Sequence, residues 1–154
     1  MPGVPQVTTG GPKTYIPHSG EFVRGGRLVM ACDDGSGRIQ EADAASELVL
    51  GVALTDAIAP EDVVTTATVD STGRPVAAPA PLPTSVAVAY NTTEVPVTYA
   101  ADADFGAILM AAADGTVTPW TPGPFVTNVV GRCTEPLGVT VTENPVGLAR
   151  ISVY

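Results

Sequence analysis

From Phe22 to the C-terminus the chain runs in short apolar stretches separated by Gly, Pro, Asp and Asn, and its side chains alternate rather than recur every third or fourth position. In Leu148 to Tyr154, residues Leu148, Arg150, Ser152 and Tyr154 face one way, while Ala149, Ile151 and Val153 face the other. That period of two predicts a strand with Ala149, Ile151 and Val153 in the core. Val86-Ala87-Val88-Ala89-Tyr90 and Gly138-Val139-Thr140-Val141-Thr142 read as strands by the same rule. So does Val63 to Val69, which leads to a turn at Ser71-Thr72-Gly73-Arg74-Pro75. Helix content should be low, with Glu41 to Glu47 the one stretch suited to a short turn of helix.

An internal echo gives these strands an organisation. Gly26-Arg27-Leu28-Val29-Met30-Ala31, then Asp34-Gly35, then Val49-Leu50-Gly51, return 80 residues later as Gly106-Ala107-Ile108-Leu109-Met110-Ala111, Asp114-Gly115 and Val129-Val130-Gly131. Three blocks in one register predict a single β unit used twice. Each Asp-Gly supplies the positive φ that a tight hairpin needs. The echo also decides a local ambiguity. Ala101 to Ala113 has helical propensity, but its counterpart holds Gly25-Gly26 and Val29, so Ala107 to Ala112 is expected to be a buried strand. Leu28, Met30, Ile108 and Met110 are then expected to share the core-facing or inter-repeat surface.

The expected fold is all-β: a compact barrel or sandwich of two pseudo-repeated hairpin units, following an extended N-terminal arm. The arm is residues 1–20, where Pro2, Pro5, Pro12 and Pro17 alternate with Gly3, Gly10, Gly11 and Gly20 against both helix and continuous strand. The remainder, residues 21–154, forms one domain: repeat one about 22–77, a connector at 78–84 holding Pro79, Pro81 and Pro83, and repeat two about 85–154.

Composition narrows the function. The chain has 154 residues, 15 Pro and 16 Gly, with 15% charged residues and a net charge of −9. Seven Lys and Arg in all cannot supply the clustered cations that phosphates require, so nucleic acid is not an expected partner. Anionic membranes are disfavoured for the same reason, and no apolar run is long enough to span a bilayer. The first residues lack a basic and apolar leader pattern, which predicts synthesis and folding in a cytoplasm. Cys32 and Cys133 are then expected as two small buried thiols rather than a disulfide.

No catalytic constellation is expected. His18 is the only histidine and lies in the arm, with no nucleophile elbow to serve. Asp33-Asp34-Gly35-Ser36-Gly37 resembles a fragment of a calcium loop but lacks its later ligands, and reads as a hairpin turn. Asp102 and Asp104 read as a solvated turn. Catalytic, metal and cofactor sites are all expected to be absent, and with them enzymatic activity. What a solitary core does not account for is aromatic placement: Thr118-Pro119-Trp120-Thr121-Pro122-Gly123-Pro124-Phe125 is a Pro-rich loop holding the only Trp. Trp120 and Phe125 there, with Val4, Val7, Tyr15 and Ile16 in the arm, are the candidate protein-contact residues.

These blocks carry a resemblance. Gly-x-Leu-Val-Met-Ala, Asp-Gly and Val-Leu-Gly-Val-Ala at 26–53, followed by Val-Val-Thr-Thr-Ala-Thr-Val at 63–69, resemble the capsid decoration (cement) proteins of tailed bacteriophages. The resemblance covers about Phe22 to Tyr154, with the second copy of the motifs at 106–131 agreeing. The connector at 79–83 and the Trp120 loop depart from the pattern. The resemblance implies a non-enzymatic virion protein, made in the host cytoplasm, that binds the capsid exterior and bridges subunits of the major capsid protein. It also implies a homotrimer. A different class of function fits the same composition: a glycan- or cell-surface-binding β module of a virion fibre or tail, with Trp120, Tyr90 and Tyr99 as stacking platforms.

Overall fold

The computed structural model describes residues 11–63, 69, 71–74, 82–91, 94–122 and 128–152. Its strands are β1 (Lys13–Tyr15), β2 (Phe22–Val23), β3 (Leu28–Ala31), β4 (Ile39–Glu41), β5 (Val49–Ala53), β6 (Ala57–Ile58), β7 (Val86–Ala89), β8 (Glu94–Thr98), β9 (Ile108–Ala111), β10 (Val117–Pro119), β11 (Val129–Cys133) and β12 (Val146–Ile151). The only helical pieces among the described residues are 3₁₀ turns at Pro60–Asp62 and Ala113–Gly115. The fold is all-β, as its composition requires.

Two five-stranded antiparallel sheets carry the chain, in the orders β1-β7-β5-β3-β4 and β8-β12-β11-β9-β10. They are the same sheet built twice. Leu28, Val29 and Met30 pair with Val52, Gly51 and Val49; Ile108, Leu109 and Met110 pair with Arg132, Gly131 and Val129, each 80 residues on, with the register shift in the same place. Bonds outside the ladders repeat as well. The N–H of Gly26 donates to the Ala53 carbonyl at 2.7 Å, and that of Gly106 to the Cys133 carbonyl at 2.9 Å. Each sheet curls until its edges meet at a parallel bridge, Pro17 with Ile39 in the first and Tyr99 with Val117 in the second. Each is therefore a small barrel, and β2 pairs β6 in the first where Ala103 bridges Val139 in the second.

Turn chemistry explains why the same sequence blocks close the same hairpins. Asp114 and Gly115 both have positive φ, at 54° and 66°, the conformation of a two-residue hairpin turn matched to strand twist. In the first barrel the corresponding hairpin is longer, and Gly35 and Gly37 take the positive φ, at 73° and 70°.

The barrels do not share their faces equally. The first has its own interior of Val29, Ile39, Ala53, Val86 and Val88. The second has Leu109, Val117, Cys133, Ala149 and Ile151 inside, and to this cluster the outer face of the first barrel adds Leu28, Ala42, Val49 and Val52. Strand β3 is thus covered on both sides, and Leu28 and Val29 are both 0% exposed. Burial of apolar surface in this seam joins the barrels into one body.

Several expectations change. Leu28 lies in the seam and Met30 packs against it, but Ile108 is 38% exposed while Leu109 and Ala111 are the buried residues of β9, so Ile108 faces outward and Leu109 points into the second barrel as its counterpart Val29 points into the first. Residues 41–47 are not helical: the Ala42 N–H bonds the Leu28 carbonyl at 2.9 Å, and Ala45 takes a φ of 56° in a turn. Val139 forms a bridge rather than a strand, because Thr140 accepts from the N–H of both Glu143 and Asn144 and turns the chain. Glu94–Thr98 is a strand despite Pro96, tolerated at a sheet edge. The segment read as an arm contributes β1, paired along its length with β7, despite the prolines on either side. Cys32 is half-buried rather than buried, its thiol against Gln40 Oε1, and Cys133 is fully enclosed; both are free. Residues 64–68 of the Val63–Val69 stretch, and 78–81 of the connector, lie outside the described residues.

Candidate adhesive surface

Trp120 follows directly on β10, an edge strand that accommodates Pro119. Its backbone N–H donates to the Ile108 carbonyl at 2.7 Å, which holds the main chain of this half-buried residue beside the start of β9. Ile108, Met110 and Val129 lie on the outer side of the second barrel, the side whose counterpart in the first is sealed. Arg132 and Arg150 stand directly opposite each other across β11 and β12 on the same side. Arg150 reaches Glu94 at 3.5 Å.

Two turns at this end of the barrel project apolar side chains that sequence reasoning did not single out. The Ala107 N–H donates to the Asp104 carbonyl at 3.0 Å, and Gly106 has a φ of 81°, so Phe105 occupies the corner of a tight turn and is 66% exposed. The Gly138 N–H closes a turn on the Glu135 carbonyl at 2.9 Å, with Pro136 at its first corner and Leu137 at the second, 99% exposed. The signal was available: Pro-Leu-Gly and Asp-Phe-Gly place an apolar residue where turn chemistry puts a corner.

In the first barrel, Tyr15 packs against the interior from β1, under the Lys13 ammonium 5.2 Å from its ring centre, and Ile16 is 45% exposed. Tyr15 and Ile16 therefore belong to one barrel and Trp120 to the other. Val4, Val7 and Phe125 lie outside the described residues. Tyr99 is 2% exposed and donates its hydroxyl to the Leu148 carbonyl at 3.0 Å; burial and the neighbouring Cys133 push its pKa up. It is a core residue and offers no ring to a ligand, which removes one of the three stacking platforms of the glycan reading.

The acidic turn at 33–37 is internally engaged. Asp34 accepts from the Ser36 N–H at 2.9 Å and meets His18 Nε2 at 2.8 Å. The Ser36 contacts and His18 lower its pKa to about 2. Arg38 forks onto Glu61, lowering that carboxylate to about 2, and Arg24 forks onto Glu41 at 2.6 and 2.9 Å. Carboxylates depressed in the fold stabilise it above their unfolded pKa, and that contribution disappears as pH falls through the folded value. The melting temperature is accordingly expected to drop between pH 4.5 and 2, from the ordinary values of 4.5 for Glu61 and 3.8 for Asp34 down to the folded ones. Thermal scans of Glu61→Gln and Asp34→Asn should show a shallower drop than the parent, and equal slopes would remove these two groups from the account.

No family model and no curated protein sequence matches the chain. Among solved structures the fold is similar to that described as the head fiber gp8.5 N base in bacteriophage phi29, with a TM-score of 0.55 and 19% identity, covering 92% of this chain and 94% of that one. The likeness takes in both barrels and extends to the fold.

Proposed function

We propose that this protein is a structural component of a tailed-bacteriophage virion that attaches to the outside of the head and bridges neighbouring subunits of the major capsid protein. The observation that carries the reading is the match, over nearly the full length of both chains, to a protein described as the base of a phage head fiber. The decoration-protein resemblance of the sequence motifs supports the same location. The work is adhesive rather than catalytic: rigid turns present Phe105 and Leu137, exposed where a fold alone would favour polar residues. A component that binds only the assembled shell lowers the free energy of that state, and the effect multiplies over many copies.

Heads purified without the protein provide the test. Added protein should co-sediment with them saturably, and Phe105→Ser with Leu137→Ser should reduce occupancy without altering the circular dichroism of the free chain. Decorated heads should open at a higher temperature than bare ones. Absence of co-sedimentation would overturn head attachment; attachment with no change in opening temperature would overturn bridging. Glycan binding by the isolated chain, without affinity for heads, would favour the fibre or tail reading instead.

A further inference from the structure

The contact between the two barrels runs head to tail, and it leaves one half of itself unused at each end of the molecule. The second barrel brings the turn of its β9–β10 hairpin and the end of β8 onto the outside of the first. The Gly115 N–H donates to the Ala42 carbonyl at 2.8 Å, the Thr98 N–H to the Gly26 carbonyl at 2.9 Å, and the Arg27 guanidinium to the Asp114 carbonyl at 2.9 Å. Beneath these lie Leu28, Ala42 and Val52, all at most 1% exposed.

The same register identifies the unused halves. Ile108, Trp120 and Arg132 hold the positions of Leu28, Ala42 and Val52; the Trp120 N–H bonds the Ile108 carbonyl just as that of Ala42 bonds Leu28. They face outward in the second barrel, with Ile108 at 38% exposure. On the first barrel, the turn at 33–37 and Ile16 hold the positions of the covering turn and of Thr98, and both are exposed. A Cβ on Gly115 would strike the Leu28 carbonyl, whereas one on Gly35 or Gly37 would meet nothing within 4 Å. The molecule carries one free turn and one free face, of the kinds already joined inside it.

We propose that the outer face of the second barrel, centred on Ile108 and Trp120, receives the 33–37 turn and Ile16 of another copy of this chain. The contact is heterologous, and successive copies join in a ring or an open chain according to the rotation between barrels. Charge fits the pairing. Asp33 sits exposed on the turn, beside an Asp34 already engaged by Ser36 and His18, and the face holds the exposed Arg132, whose cross-strand neighbour Arg150 is met by Glu94. The proposal rests on the internal repetition of the fold and stands apart from the virion reading.

Cross-linking of chains with one accessible cysteine tests it, with Cys32→Ser as background and the enclosed Cys133 retained. Asp33→Cys places a thiol on the free turn, and Thr121→Cys places one beside Trp120. Mild oxidation of the mixture should yield disulfide-linked pairs joining the two kinds of chain, while neither variant cross-links alone. Adding Ile108→Asp to the Thr121→Cys chain should reduce the yield by about tenfold or more, with unchanged circular dichroism. The parent should sediment above the 15.6 kDa of one chain. A monomeric parent would overturn the proposal and leave the face to a different partner. Cross-linking that is equal in the single-variant samples, or indifferent to Ile108→Asp, would overturn it as well.

Discussion

Leu28→Asp is expected to unfold the protein, while Ile108→Asp, the same change at the matching position of the other repeat, leaves it folded. Leu28 is 0% exposed in the seam between the barrels, beneath the Gly115 turn, and the guanidinium of the adjacent Arg27 is already engaged by the Asp114 carbonyl. The change removes a buried leucine and leaves an unpaired charge or a protonated acid without partners; each cost runs to several kcal/mol, together about 4 kcal/mol or more. A domain of this size has about 5–15 kcal/mol to lose. Ile108 points to solvent beside the Arg132–Arg150 pair, where an acid is electrostatically welcome, and the expected change is within about 1 kcal/mol. Urea unfolding of the two variants measures the difference. Equal effects would mean that the outer face is sealed in both repeats or in neither, contrary to the packing described.

The second large effect is shared by the repeats. A Cβ at Gly51 would overlap the Ala89 carbonyl oxygen, and one at Gly131 the Arg150 carbonyl oxygen, at matching places where the third strand of each sheet passes its neighbour. The obstacle is backbone held in a ladder, so it cannot swing aside as a side chain would. Gly51→Ala and Gly131→Ala should each cost about 1–3 kcal/mol, the usual range for overpacking. Gly37→Ala, with open space around its Cβ, tests backbone strain alone because its φ is 70°. It should cost less, about 1 kcal/mol. Equilibrium unfolding of all three orders them, and a Gly131→Ala variant as stable as the parent would show that the strands separate freely.

Both sets of variants probe features that differ in how plainly the sequence shows them. The Asp-Gly turns are local requirements, and the strand blocks 80 residues apart are written as residue types at fixed spacing; Gly51 and Gly131 are marked by that repeat, but what leaves no room for a Cβ there is the backbone of Ala89 and Arg150. Trp120 stood out because a Pro-rich loop holding the only tryptophan calls for an explanation, and it does lie on an outward-facing side. Strands β1 and β8 were hidden because Gly and Pro, which argue against a strand in general, are harmless at an edge where one side of the ladder goes unpaired. Phe105 and Leu137 were hidden among turn residues whose corners become visible only with the bonds that close them.

By itself the sequence determined that this is a β protein made from one hairpin module used twice, because alternation and turn residues act over a few residues and need no knowledge of the rest. Tertiary structure alone decided which face of each module is interior, which outer face is sealed, and that the two barrels meet head to tail. Leu28-Val29-Met30-Ala31 and Ile108-Leu109-Met110-Ala111 are nearly the same text, yet one strand is covered on both sides and the other on one. A period of two separates the faces of a strand; what comes to lie against each face depends on residues far along the chain.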